Sequence, residues 1–99
     1  MTVHISLFYL KDPADADKIT AALKEVPKKN SAIVTSYVGK NHTQVPEIPG
    51  IPDFADVAQV ITFATAEDAA GYESSQAHLE LRAATDDLVK RVAAAEFVQ

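Results

Sequence analysis

The stretch Thr2-Val3-His4-Ile5-Ser6-Leu7-Phe8-Tyr9-Leu10 decides the fold. Alternation puts Val3, Ile5, Leu7 and Tyr9 on one face of a strand, and His4, Ser6, Phe8 and Leu10 on the other. Both faces are largely apolar, so both need cover. Helices can cover one of them. The second needs a surface as large as the sheet itself.

The rest of the chain supplies the other elements. Asp12-Pro13 marks a helix start, with Asp12 as cap and Pro13 at the first helical position. Ile19, Ala22, Leu23 and Val26 recur at helical spacing, and Pro27 ends that pattern. Ala32 to Val38 reads as a second strand, followed by Gly39. The segment from Val45 to Asp53 holds three prolines and a glycine, which forbid helix and ladder alike. It is apolar for a loop, as a flap lying on something would be. Val57 to Phe63 is the third strand. Thr65-Ala66-Glu67-Asp68 resembles a capping box with Asp68 in the acidic position, opening a short helix towards Tyr72. Glu73-Ser74-Ser75 breaks it. The spacing of Leu81, Ala84, Thr85, Leu88, Val92 and Ala95 predicts a last helix from Gln76 to Ala94. Asp86 with Lys90 and Asp87 with Arg91 would pair along its outer side. Glu96 to Gln99 makes a short closing strand.

The resulting order, β-α-β-β-α-α-β, is that of an α+β domain close to a ferredoxin-like split βαβ, with helices on one face of an antiparallel sheet. One domain spans residues 1–99. A two-fold homodimer packing sheet against sheet would cover the second apolar face. The alternative is a monomer that covers it with the proline-rich segment, which is too short for a whole sheet.

Composition excludes several functions. The formal net charge is −5, with 14 acidic against 9 basic residues. Nucleic-acid binding needs a basic face, and none is visible. The one basic cluster, Lys24, Lys28 and Lys29, reads as the solvated end of a helix. With no cysteine, disulfides, zinc ribbons and thiol nucleophiles are excluded. Met1 to Tyr9 has neither the basic start nor the long apolar run of a signal peptide, and no stretch is long enough to span a membrane. A cytoplasmic location is therefore expected.

Chemistry rests on few residues. Of the three histidines, His42 falls in the loop after Gly39 and reads as solvated. His4 lies mid-strand, and His78 falls on the inward stripe of the last helix. The break between Tyr72 and His78 can fold the phenol back onto the imidazole. His4, Tyr72 and His78 thus form a candidate cluster between sheet and helices. Histidine has the near-neutral pKa needed to remove a proton beside a carbonyl, and a phenol can donate to the oxygen that gains charge. Such chemistry requires no metal or organic cofactor. The same pair also fits a core histidine hydrogen-bonded to its tyrosine. No histidine pair has metal-ligand spacing, no glycine-rich phosphate loop exists and no nucleophile elbow is present.

Four features carry a family resemblance. They are His4 opening the apolar first strand, Val38-Gly39-Lys40-Asn41 after the second, Phe54-Ala55-Asp56-Val57-Ala58 leading into Val60-Ile61-Thr62-Phe63, and Tyr72 followed six positions later by His78. In this order the chain resembles the stress-responsive A/B barrel (Dabb) domain of the dimeric α+β barrel group. It departs at Gln76, where the family often has proline. The resemblance implies two ferredoxin-like subunits whose sheets pack into a shared barrel, and it does not imply one activity. The family includes plant stress-response proteins, cofactor-free polyketide cyclases and a hydroxynitrile lyase. In the cyclases, a tyrosine and a histidine matching Tyr72 and His78 catalyse an intramolecular aldol condensation, and a histidine matching His4 lines the pocket.

The leading expectation is a cofactor-independent cyclase or lyase acting on a small, apolar, polyketide-like carbonyl compound. His78 would be the base, and Tyr72 would orient substrate or stabilise the oxyanion. His4, Ser6, Phe8 and Gln59 would bind substrate, provided strands one and three turn those faces towards the helices. A non-catalytic dimer that binds a ligand or a protein in stress response is the second reading. A cofactor-free monooxygenase of the same barrel group is the third. The haem-degrading members of that branch lean on a tryptophan, which this chain lacks.

Overall fold

The structure, a computed structural model, describes residues 1–42 and 54–99. The flap expected from Val45 to Asp53 lies outside the described residues. Four strands form one antiparallel sheet: β1 (Thr2–Leu10), β2 (Ile33–Lys40), β3 (Val57–Phe63) and β4 (Val89–Val98). Their spatial order is β2-β3-β1-β4, the split βαβ arrangement of a ferredoxin-like fold. The helices are α1 (Ala16–Lys29), the single turn α2 (Ala66–Ala70) and α3 (Gln76–Thr85).

The apolar stripe of α1 buries Ile19, Leu23 and Val26, one face of a 3.6-residue period. These side chains meet Phe8 and Leu10 of β1, Val57, Ile61 and Phe63 of β3, and Ala69, Tyr72, Ala77 and Leu81 of the α2–α3 region. The alternation of β1 therefore points Ser6, Phe8 and Leu10 towards the helices. On the opposite face, Ile5 and Leu7 stay half-buried beside exposed Tyr37 and Phe97.

Several boundaries differ from expectation. Asp12 does act as a cap, but for a single 3₁₀ turn, Pro13–Asp15, from which α1 continues. Pro27 does not end α1, which runs on to Lys29. A proline here loses its own bond to the carbonyl four residues back and crowds that carbonyl, yet the two residues after it keep helical geometry.

The largest correction is at the C-terminal end. The helix expected to reach Ala94 stops at Thr85, and Val89–Val98 is a strand. Ala93 to Ala95 favour a helix by only about half a kcal/mol per residue over strand-forming types. Against that stands a whole β1 edge, which pairs with β4 from Thr2↔Val98 to Leu10↔Val89 and would otherwise leave its backbone groups unpaired. Ala84, expected to face inward, is exposed. The two outer-side pairs do not form as drawn: Asp86 bonds Arg82, and the Arg91 guanidinium lies 4.0 Å over the Tyr9 ring.

Candidate functional site

The site is built where the helix-facing side of the sheet meets the α2–α3 connection. Thr65 caps α2 by accepting from the Asp68 amide. The chain then turns, and the Tyr72 amide bonds the Ala69 carbonyl. Ser75 holds the next break. Its hydroxyl donates to the Tyr72 carbonyl at 2.5 Å and accepts from the His78 amide at 3.3 Å, which caps α3. One serine thus fixes the relative placement of Tyr72 and His78.

The three expected ring residues converge. The His78 and Tyr72 ring centroids lie 4.9 Å apart, and those of Tyr72 and His4 5.6 Å apart, both edge to face. The Phe63 ring also packs on Tyr72, with centroids 5.8 Å apart. Tyr72 is buried, while His78 is half-buried. Nδ1 of His78 lies 3.0 Å from the Glu73 carbonyl oxygen. A carbonyl accepts only, so Nδ1 carries a proton, and in the neutral ring Nε2 is the nitrogen with the lone pair.

His4 is held at both nitrogens. Its Nδ1 is 2.9 Å from Glu96 Oε2, and its Nε2 is 3.1 Å from Ser6 Oγ. Glu96 sits directly across from His4 in the β1–β4 ladder. Sequence reading missed this residue, because the register of β4 was hidden behind the helical pattern before it. Ser6 faces Gln59 across the β1–β3 ladder, and both are buried. Phe8 lies further along the same face, opposite Val57, within the apolar core. His42 is exposed and apart from the cluster.

Among the described residues, two buried polar side-chain atoms have no hydrogen-bond partner: Gln59 Nε2 and Tyr72 Oη. Burial pushes the Tyr72 phenol above its ordinary value, and the Glu73 charge adds to this. The neighbouring Gln59 side chain pulls the other way, although no hydrogen bond of good geometry joins the two groups. The phenol is therefore a proton donor at neutral pH. Two unpartnered buried donors are the kind of group that a bound oxygen atom satisfies. Among the described residues no group of three or more His, Asp or Glu could hold a metal ion, and no helix is long and apolar enough to cross a membrane.

The fold is widely shared. A dimeric protein of unknown function and ferredoxin-like fold from Bacteroides fragilis is similar with a TM-score of 0.76 at 21% identity, over 99% of this chain and 95% of that one. A protein from Arabidopsis thaliana gives 0.79 at 17%, over 100% and 95%. A cofactor-independent oxygenase from Streptomyces nogalater gives 0.72 at 9%, over 99% and 91%. Likeness at these identities is one of fold. Comparison with curated proteins finds no match. The family described as the stress responsive A/B barrel domain matches residues 2–99. The chain belongs to that stress responsive A/B barrel domain family.

Proposed function

We propose that the protein is a homodimeric, cofactor-independent enzyme that performs acid–base chemistry on a small apolar carbonyl compound of polyketide-like character. The observation that carries this reading is the His78 ring: the Glu73 carbonyl holds Nδ1, which leaves Nε2 as the nitrogen that can act as base, in a ring that packs edge to face on Tyr72. In the reaction, His78 Nε2 takes a proton from the carbon next to a carbonyl. The negative charge moves to the carbonyl oxygen, which accepts from Tyr72 Oη. The carbanion then adds to a second carbonyl of the same molecule or expels a leaving group, and the imidazolium returns the proton. A positioned base contributes about 10²–10⁴-fold, and one oxyanion donor a further ~10²–10³-fold. Gln59 and Ser6 line the substrate side, and Phe8 supplies apolar wall.

Deuterium exchange into the central carbon of a small aryl β-diketone tests the first step without knowledge of the natural substrate. His78→Ala should lower the catalysed exchange by about 10²-fold or more. Exchange that proceeds unchanged in this variant would sink the assignment. The fold shared with a cofactor-independent oxygenase supports a second reading, in which the same carbanion meets dioxygen. Oxygen uptake coupled to loss of the diketone would favour it.

A further inference from the structure

Glu96, His4 and Ser6 form a continuous carboxylate–imidazole–hydroxyl chain, with links of 2.9 and 3.1 Å. The proton positions follow from the partners. The Glu96 carboxylate accepts only, so His4 Nδ1 carries a proton, and in the neutral ring Nε2 is then the acceptor to which the Ser6 hydroxyl donates. That is the order of groups in which a serine is activated as a nucleophile, with the base held in one tautomer by an acid. Both links fall within the reach that such a relay needs, and His4 and Ser6 are buried.

A nucleophile also needs donors for the oxyanion it creates. Gln59, the cross-strand partner of Ser6, has an unpartnered and buried Nε2. Tyr72, whose ring packs on that of His4, has an unpartnered and buried hydroxyl. We infer that Glu96, His4 and Ser6 form a second catalytic centre, an acyl-transfer site at which Ser6 is the nucleophile towards a small acyl ester. Ser6 Oγ forms a bond to the acyl carbon while its proton passes to His4 Nε2. The tetrahedral oxyanion accepts from Gln59 Nε2 and Tyr72 Oη. Its collapse breaks the carbon–oxygen bond to the alcohol, which leaves with the proton from His4. Water, deprotonated by the same imidazole, then releases the acid and restores Ser6. Glu96 is the positioning residue that fixes His4.

The centre shares Tyr72 and Gln59 with the proposed carbonyl chemistry but has its own base. Covalent labelling reads Ser6 and deuterium exchange reads His78, so either idea can fail alone. The test is incubation of the folded wild-type chain with an alkyl fluorophosphonate, followed by intact mass and peptide mapping. One adduct per chain on Ser6, absent after unfolding in urea, is the expected result. Glu96→Gln, a change at a partly exposed edge position, should slow labelling by about 10²–10⁴-fold, as loss of the acid does in other relays of this type. An unlabelled folded chain, an adduct on another residue, or Glu96→Gln labelling at the wild-type rate would each overturn the proposal.

Discussion

Tyr72 carries an oxygen that is buried without a partner, and such a group costs about 1–3 kcal/mol while it stays unmet. Its pKa is raised from 10.0, mainly by burial. The folded chain therefore holds this proton more tightly than the unfolded chain. The resulting stability is complete below the unfolded value and is lost as pH climbs through the folded one. Urea titrations at about pH 8 and about pH 11 should show this alkaline loss, and Tyr72→Phe should shrink it. An equal loss in the variant would mean that other groups cause it. His4 could be read from the sequence because strand alternation places it on the helix-facing side, and Tyr72 because the break after α2 folds it inward, whereas His78 sits half-buried beside the buried stripe of Ala77, Leu81 and Thr85 rather than on it. Glu96 could not, because its meeting with His4 depends on a strand register across 92 residues of chain.

Asp56 shows what a single side chain does for an element. The β1–β3 ladder ends at Phe8↔Val57, and beyond it Asp56 takes over. Its amide donates to the Phe8 carbonyl at 2.9 Å, and its carboxylate accepts from the Leu10 amide at 2.8 Å. This pins the end of β1, the strand that carries His4 and Ser6. Asp56→Ala should cost about 2 kcal/mol in urea unfolding, in the range for hydrogen bonds to charged groups, with Asp56→Asn losing less. A change below about 0.5 kcal/mol would remove Asp56 from this role. The charge pairs on the helices are of another kind. Lys29 joins Glu80 at 2.9 Å between α1 and α3, and each shifts the other towards its charged form, but both are solvated. The first three strands and α1 were legible because hydrophobic period and turn residues agree there. β4 was not, since its alanines favour a helix locally and only the edge of β1 makes the strand worthwhile.

The face of the sheet away from the helices governs the behaviour of the whole molecule. Ile5 and Leu7 lie half-buried there, with Tyr37 67% and Phe97 47% exposed along the flanking strands. A contiguous apolar face of this kind marks an interface. In the proposed homodimer the two sheets pack through it, and thermal stability should then rise with protein concentration. Tyr37→Asp places a charge in that contact and should shift the protein from dimer to monomer in sedimentation velocity. A wild-type chain that sediments as a monomer at tens of micromolar would end the homodimer reading.

Taken alone, the sequence determined the fold class and the inward placement of His4 and Tyr72, because both depend on local period and on turn residues that every conformation of the chain must respect. The tertiary structure decided what local information does not contain. It set the strand identity of Val89–Val98, which satisfies the backbone of β1. It set the hydrogen-bond partners of the His4 and His78 rings, Glu96 with Ser6 for the one and the Glu73 carbonyl for the other. It also left Gln59 Nε2 and Tyr72 Oη without partners. Each of these depends on which groups face one another once the chain has closed, and register and packing fix that only for the molecule as a whole.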